Sequence, residues 1–200
     1  VIGLGMVGPT IIAHGTEQQK SRYLAKILSA DEIWCQGFSE PGAGSDLASV
    51  RTRADLRDGN FVLNGQKVWS SFAHLADWCI LVARSDPESE RHAGLTYLIV
   101  DMHAPGVEVR PLRQITGEAE FNEIFFTDVE VPSENVLGEI GDGWAVAMTT
   151  LLHERGTLGF ALTGVLDSQV QRLVALAKER AADDPIIRDR VAQEWIELQA

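Results

Sequence analysis

Residues 58–65 read Asp58-Gly59-Asn60-Phe61-Val62-Leu63-Asn64-Gly65, and this stretch is the clearest structural signal in the chain. Asp-Gly and Asn-Gly favour tight β-hairpin turns, because both residues of such turns need a positive φ. The two dipeptides bracket Phe61-Val62-Leu63, which predicts a strand between two hairpin connections. The neighbouring sequence is therefore expected to form antiparallel sheet.

Short β-type runs continue on both sides of this stretch, from about residue 32 to residue 131. Turn dipeptides separate them, a pattern typical of an antiparallel sandwich or barrel. Residues 86–92 are charged and contain Pro87, so we expect an exposed loop there that tolerates change. The other predicted strands cover residues 50–54, 67–70, 79–84, 95–101, 107–110 and 123–126.

Helical periodicity flanks the β region on both sides. Thr16-Glu17-Gln18-Gln19 matches a capping box, and the apolar spacing after it predicts a helix over residues 17–29. From Trp144 apolar residues again recur with the period of a helix, which predicts a long one. Asp184 is the expected N-cap of a further helix that has Pro185 at its first position.

The order helix, sheet, helix predicts an α+β fold with an antiparallel β-barrel or sandwich between α-helical segments. We expect three parts: residues 1–31 as the end of a helical domain, 32–137 as a β domain, and 138–200 as the start of a second helical domain. The chain begins without Met and ends within an apparent helix, so we expect a fragment of a longer protein.

Composition excludes several classes of function. The chain of 200 residues is 45% hydrophobic and carries a net charge of −12, which disfavours a nucleic acid or an anionic membrane as partner. Its apolar runs are far shorter than the roughly 20 residues of a membrane helix. Cys35 and Cys79 are expected to be buried, reduced thiols, and the five histidines lack ligand spacing, so we predict no metal site.

One motif near the N-terminus is typical of proteins that bind dinucleotides. Gly3-Leu4-Gly5-Met6-Val7-Gly8 matches the G-x-G-x-x-G fingerprint of dinucleotide-binding loops. Only two residues precede it, however, and the helix predicted at 17–29 occupies the place of the second strand. We therefore interpret these glycines as sites of close helix packing, with an NAD-binding module as the remote alternative.

The densest candidate site follows a predicted strand. Phe38-Ser39-Glu40-Pro41-Gly42-Ala43-Gly44-Ser45-Asp46 is a loop whose glycines let backbone amides converge on an anion such as a pyrophosphate. Asn64-Gly65-Gln66-Lys67-Val68-Trp69-Ser70-Ser71 adds a Trp beside hydroxyl residues, which suits a flat conjugated ring. Taken singly, each block is also compatible with an ordinary turn or a core Trp.

These blocks resemble the acyl-CoA dehydrogenase family of flavoproteins over nearly the whole chain. Residues 39–46 are similar to the family's best-known signature, and residues 64–69 to its flavin-side hairpin. Three further blocks agree in order: residues 15–24, residues 126–132, and Glu154-Arg155 on the first C-terminal helix.

The resemblance implies an FAD enzyme that desaturates an acyl-CoA thioester between its α and β carbons and passes electrons to an electron-transferring flavoprotein. A homo-oligomer, dimer or tetramer, is implied as well, or a hetero-oligomer. Reduced cysteines and the lack of a visible targeting segment lead us to expect a bacterial cytoplasm, or alternatively a mitochondrial matrix. The implied flavin-side residues are Gln36, Phe38, Ser39, Gly44, Ser45, Trp69 and Ser71, with Gly44 and Ser45 near the phosphates and Ser45 also near the thioester ligand.

The catalytic base is expected to be Glu154 or a Glu beyond residue 200, because the family uses both positions. Arg155 is expected close to the active site. The acyl pocket is expected to involve Met6, Val7, Pro9, Leu151 and Leu152. Two other readings stay open: a flavin oxidase or monooxygenase on the same scaffold, and a non-catalytic or half-site partner subunit of a hetero-oligomer.

Overall fold

The computed structural model describes residues 2–199, except for the side chains of Leu158, Phe160 and Ala161. A π-helical segment, Gly3–Val7, runs into α1 (Gly8–His14), which is followed by α2 (Glu17–Ser29). After the sheet come α3 (Gly143–Arg180) and α4 (Pro185–Gln199). Within the described residues the strands are β1 (Trp34–Gly37), β2 (Arg53–Arg57), β3 (Asn60–Ser71), β4 (Trp78–Arg84), β5 (Leu95–Asp101), β6 (Val107–Leu112) and β7 (Phe121–Pro132).

This order confirms the α+β class. The chain divides into two compact units, residues 1–154 and residues 155–200. The first twelve residues of α3 belong to the first unit together with the sheet, so Glu154 is the last residue of that unit. The three-part division with boundaries after residues 31 and 137 remains a proposal.

Of the two dipeptides in residues 58–65 that predict turns, one forms a turn and the other lies within a strand. Asp58 and Gly59 have φ of 50° and 86° and join β2 to β3 as a tight hairpin, as predicted. Asn64-Gly65 is not a turn, and that prediction is wrong. β3 continues through it to Ser71, because β7 pairs along the whole length of β3, and the dipeptide forms a bulge in that pairing. Gly65 is required there, since a Cβ would lie 2.6 Å from the Thr52 hydroxyl.

Strand boundaries differ from the prediction where tertiary pairing decides them. The strand expected at 50–54 is β2 and starts only at Arg53, the first residue that pairs with β3, after a 3₁₀ turn at Leu47–Ser49. The segments expected at 107–110 and 123–126 extend into β6 and β7 because they pair with each other. β5 has the predicted bounds.

The sheet is mixed rather than wholly antiparallel. β1 pairs in parallel with β4, and β2 also contacts β4 in parallel at Arg53 and Arg84, whereas β4–β5, β2–β3, β3–β7 and β6–β7 are antiparallel. The antiparallel prediction failed for β1 because its chain reaches β4 through the long connection of residues 38–77 instead of a hairpin. The strands curl into a half-barrel with the order β1-β4-β2-β3-β7-β6, and β5 pairs with the other edge of β4.

Both faces of β4 are buried. Ile80 and Val82 point into an apolar cluster that the N-terminal helices and the start of α3 cover. Cys79, Leu81 and Ala83 point into a second cluster inside the curled sheet. The two cysteines are buried and free, as predicted, and face each other across the β1–β4 pairing.

The capping box at Thr16 is confirmed. The Thr16 hydroxyl accepts a hydrogen bond from the Gln19 amide at 3.2 Å, and the Gln19 side chain accepts one from the Thr16 amide at 2.9 Å. Gln19 Nε2 also donates to the carbonyls of Glu134 and Val136, so the cap joins α2 to the end of the sheet.

Replacing Thr16 by alanine should therefore lower the free energy of unfolding by about 1 kcal/mol, because one α2 amide loses its acceptor. Chemical denaturation of the full-length protein measures this loss. Thr16→Ser is the matched control and should stay within a few tenths of a kcal/mol, since a serine hydroxyl makes the same bond. Equal stability of the alanine variant and the wild type would contradict the assignment of this cap.

The N-terminal glycines belong to helix. Gly3–Val7 is π-helical and continues into α1, so the G-x-G-x-x-G sequence does not form the loop that the NAD-binding alternative requires. A Cβ on Gly8 would lie 3.3 Å from the Gly3 carbonyl oxygen and 3.8 Å from Ile27. The glycines therefore permit close packing against α2, as predicted.

The second unit consists of the rest of α3 and of α4. Asp184 caps α4 as predicted, with its carboxylate accepting from the amides of Ile186 and Ile187. Many large apolar side chains of this unit are exposed, among them Leu162, Val165, Leu166, Leu173, Ile186, Trp195 and Ile196. Of the residues described, no helix is long and apolar enough to cross a membrane.

Candidate functional site

Five of the seven predicted flavin-side residues line one cleft in the first unit. They are Gln36, Phe38, Ser39, Trp69 and Ser71, and Ile2, Val68, Phe121 and Glu154 complete the lining. The cleft has a volume of about 260 Å³. The structure thus brings the candidate base Glu154 to the same cleft as the residues expected to hold a flavin.

The chain crossing at the end of β1 forms one wall of this cleft. β1 ends at Gly37, so Phe38 and Ser39 lie just beyond the strand. The Val68 amide donates to the Ser39 carbonyl at 2.9 Å, which ties this segment to β3. The Ser39 side chain is left half-buried beside the cleft.

Trp69 owes its position to a second irregularity in β3. The β3–β7 register shifts between Lys67 and Ser70, and Trp69 has a φ of 61°, a conformation that non-glycine residues seldom adopt. Its side chain is 62% exposed and contacts the Phe121 ring edge to face at 6.1 Å. The bulge therefore presents a large aromatic ring to the cleft instead of to the core.

A buried ion pair between Glu40 and Lys67 supports this region, and sequence reasoning missed it. Lys67 is fully buried, and its Nζ donates to Glu40 Oε1 at 2.8 Å and to the Phe38 carbonyl at 3.0 Å. Glu40 also accepts from the amides of Arg51 and Thr52. The pair connects β3 to both ends of the segment that carries Ser39.

Burial and charge act oppositely on the two partners. Burial lowers the pKa of Lys67, and the Glu40 carboxylate opposes this effect. Burial would raise the pKa of Glu40, but the Lys67 ammonium and the bonded amides hold it below its ordinary value. Each charge therefore stabilises the charged form of its partner against the effect of burial.

Gly37 makes room for the side chains of Cys79 and Leu81, next to the buried stem of Lys67. A Cβ at Gly37 would lie 2.9 Å from Cys79 Sγ and from Leu81 Cδ1, and 3.4 Å from Lys67 Cγ. The only sequence signal for this arrangement is a lysine inside a predicted strand, and a lysine on the solvent face of the sheet would give the same signal. The burial of Lys67 depends on which strands become neighbours.

The loop after Glu40 is open. Gly42 and Gly44 have no atom within 4 Å of the place where a Cβ would lie, and Ser45 is exposed. Gly44 and Ser45 are not among the residues that line the cleft. The free space in front of these glycines fits a phosphate-bearing ligand, because the loop backbone can be approached closely there.

Arg84 anchors the end of this loop. Its guanidinium donates to the carbonyls of Ala48 and Val50 on one side and of Ser89, Arg91 and Ala93 on the other. The loop at residues 86–92 has mostly exposed side chains, as expected, but Arg84 ties its backbone to the segment that follows Ser45. Sequence gave no sign of this connection.

The remaining predicted residues lie at different places. Leu151 is half-buried against the core and Leu152 is 69% exposed. Arg155 is exposed and is the first residue of the second unit. Met6 and Val7 are buried in the first unit, and Pro9 is half-buried. Their expected contributions to catalysis or to an acyl pocket remain proposals.

An exposed indole and half-buried hydroxyl and amide groups at one cleft, next to an open glycine loop, fit FAD. The Trp69 ring offers an apolar face, Ser39 and Ser71 offer donors and acceptors, and Gly44 offers an accessible backbone for the phosphates. Among residues 2–199, no group of three or more His, Cys, Asp or Glu side chains is arranged to hold a metal ion.

Comparison with known proteins assigns the class. The model of the acyl-CoA dehydrogenase middle domain matches residues 35–129, and that of the acyl-CoA dehydrogenase C-terminal domain matches residues 141–200. The chain therefore belongs to the acyl-CoA dehydrogenase family, a family of oxidoreductases.

Individual relatives agree. The chain is 52% identical, over 99% of its length, to acyl-CoA dehydrogenase IpdE1 of Mycobacterium tuberculosis, of which it covers 52%. Two solved structures resemble it over 99% of its length and 52% of theirs. They are the Tcur3481-Tcur3483 steroid ACAD G363A variant, with a TM-score of 0.89 and 37% identity, and the ChsE4-ChsE5 complex from Mycobacterium tuberculosis, with a TM-score of 0.81 and 29% identity. The chain spans about half the length of the curated relatives it matches.

Proposed function

We propose that the protein is an FAD-dependent acyl-CoA dehydrogenase that forms the α,β double bond of an acyl-CoA thioester and passes the electrons to an electron-transferring flavoprotein. One observation carries the proposal: Glu154 lines the same cleft as Trp69, Ser71 and the segment after β1. A carboxylate beside a site for a flat ring is what removal of an α-proton next to a hydride acceptor needs.

In the proposed mechanism, the Glu154 carboxylate accepts the proton from the thioester α-carbon. FAD bound in the cleft would supply the acceptor for the hydride of the β-carbon, and with it for both electrons of that C–H bond. Trp69 and Ser71 would orient the flavin ring, and Gln36, Phe38 and Ser39 would hold its position.

Other residues of the chain hold the rest of the ligands in this proposal. Gly44 and Ser45 lie on the open loop and receive phosphates through backbone amides, with Ser45 also near the thioester ligand. Arg155 follows the base and places positive charge near the thioester. Leu151 and Leu152 precede the base on α3 and contribute to an acyl pocket.

A second candidate is a partner subunit that supplies only part of a site. The similarity to the ChsE4-ChsE5 complex favours it, because that structure contains two different named chains. In this case Glu154 is not the base, and another chain provides it. We propose the catalytic subunit as the main reading, in a homo-oligomer or a hetero-oligomer located in a bacterial cytoplasm.

The experiment is an anaerobic absorption titration of the full-length protein with acyl-CoA thioesters. Straight-chain, branched and steroid-derived acyl groups belong in the panel, the last because one similar structure is of a steroid ACAD. We expect visible flavin bands that one class of thioester bleaches. A protein without flavin bands contradicts the proposal, and a bound flavin that no thioester bleaches favours the partner subunit. Reoxidation only by oxygen, and not by an electron-transferring flavoprotein, indicates an oxidase.

A further inference from the structure

Three buried hydroxyl groups form a continuous hydrogen-bonded chain in the core of the first unit. Tyr97 Oη of β5 lies 2.8 Å from Thr150 Oγ1 of α3, and Thr150 Oγ1 lies 3.0 Å from Thr10 Oγ1 of α1. All three side chains are fully buried. The chain of hydroxyls thus joins the sheet, the N-terminal helix and α3 at one point.

At its Thr10 end, the series of hydroxyl groups has a fixed donor-to-acceptor direction, because it ends on a carbonyl. The Thr10 hydroxyl donates to the Met6 carbonyl at 2.7 Å, and a carbonyl can only accept. The Tyr97 hydroxyl can then donate to Thr150, and the Thr150 hydroxyl has two acceptors within reach, Thr10 Oγ1 at 3.0 Å and the Val146 carbonyl at 3.2 Å. Each buried proton has an acceptor, so the arrangement avoids the cost of an unpaired polar group in the core.

Two contacts connect the three hydrogen-bonded hydroxyl residues to the cleft. The Tyr97 ring packs edge to face against the Phe38 ring at 5.8 Å, and Phe38 lines the cleft. Thr150 lies four residues before Glu154, one helical turn away on the same side of α3. The hydroxyl chain therefore ties one wall of the cleft to the helical turn that carries the carboxylate.

Of the side chains described on α3, Thr150 is the last that is fully buried. Leu151, His153 and Glu154 are half-buried, and Leu152 is exposed. Apolar packing alone lets a helix slide or rotate slightly, whereas hydrogen bonds fix distance and angle. The last fixed point of the helix before the carboxylate is thus a hydrogen bond.

We propose that Tyr97 and Thr150 are positioning residues that hold Glu154 at the distance from the Phe38 wall that proton removal requires. The inference rests on the proposed function. Tyr97 touches Phe38 and Thr150 but is not among the cleft residues, so it acts through them. Loss of either hydroxyl frees the turn that bears the base without removing any group that touches a ligand.

The test measures proton removal apart from hydride transfer. The full-length protein with bound flavin is incubated in D₂O with a thioester that has no β-hydrogen, and deuterium incorporation at the α-carbon is followed. The variants are Tyr97→Phe and Thr150→Val, which lose a hydroxyl with little change of shape. Thr150→Ser restores the hydroxyl, and Thr163→Val removes an exposed hydroxyl farther along α3 as the matched control.

We expect Tyr97→Phe and Thr150→Val to slow the exchange about 10- to 100-fold, because a small misplacement of a reacting group costs that much. Flavin content and thioester affinity should stay within about twofold, as neither residue touches a ligand. Thr150→Ser and Thr163→Val should exchange at the wild-type rate. Amide hydrogen exchange of residues 151–154 should become faster in Thr150→Val, which reports the turn itself without any catalysis.

Wild-type exchange rates in both Tyr97→Phe and Thr150→Val overturn the positioning role while the proposed function stands. A slow Thr150→Val variant that serine does not rescue overturns it as well, because the hydroxyl is then not the cause. If the wild-type protein binds flavin but exchanges no α-proton, the proposed function fails, and the inference fails with it. These results are distinguishable because the first two require an active wild-type protein.

Discussion

Replacing Glu154 by glutamine should lower the rate of flavin reduction by a thioester about 10²- to 10⁴-fold. This is the usual contribution of a positioned general base, and the glutamine amide has no basic atom to accept the α-proton. Thioester affinity should change little, since glutamine keeps the shape of the side chain. Anaerobic stopped-flow absorbance of the full-length protein measures both quantities.

Glu179→Gln is the control for the Glu154 variant. It removes an exposed carboxylate from the same helix, in the second unit, and should reduce flavin at the wild-type rate. Wild-type reduction in Glu154→Gln would contradict the assignment of the base and would favour a Glu beyond residue 200. If an assembled hetero-oligomer stays active after loss of both Glu154 and the Glu beyond residue 200, the partner-subunit function is favoured instead.

Replacing Lys67 by methionine should lower the free energy of unfolding by about 3–5 kcal/mol at neutral pH. The cause is the Glu40 carboxylate, which stays buried after its cation is gone. The bonds to Phe38 and Glu40 disappear together, so we also expect less flavin per chain in the purified variant. Chemical denaturation and the absorbance ratio of flavin to protein measure the two effects.

Lowering the pH should reduce the difference in free energy of unfolding between the wild type and Lys67→Met. In the wild type the folded-state pKa of Glu40 is lowered, so the stability that its charge contributes is present at neutral pH and lost as pH falls through that pKa. In the variant, burial without the ammonium raises the pKa of Glu40, and protonation removes the unpaired charge. The two unfolding free energies should therefore converge below about pH 4.

Lys20→Met is the matched control for Lys67→Met. Lys20 forms an exposed pair with Glu17 on α2, and such pairs contribute about 0.5 kcal/mol or less. A loss of the same small size in Lys67→Met would contradict the view that Lys67 holds the cleft segment in place.

The sequence predicted the elements whose causes are local. The Asp58-Gly59 hairpin, the capping box at Thr16 and the Asp184 cap all formed as expected, because backbone conformation and nearest-neighbour hydrogen bonds determine them. The blocks around Ser39 and Trp69 identified the family, because their order along the chain is a property of sequence alone.

Pairing between segments distant in sequence decided the features of the sheet that were predicted wrongly. Asn64-Gly65 has the local signature of a turn, yet β7 pairs across it and makes it a bulge. β1 lies parallel to β4 because of the path of a long connection that no local pattern encodes. Local preferences of about 1 kcal/mol give way to the many hydrogen bonds and the apolar burial of a complete strand pair.

The same holds for the site. The sequence by itself determined which residues are available: an indole, several hydroxyls, a glycine loop and a carboxylate before an arginine. Only the tertiary structure decided that Glu154 and Trp69 line one cleft, that Lys67 is buried against Glu40, and that three hydroxyls meet in the core. The physical reason is that burial and hydrogen-bond partners depend on which distant segments become neighbours, and that is a property of the folded chain.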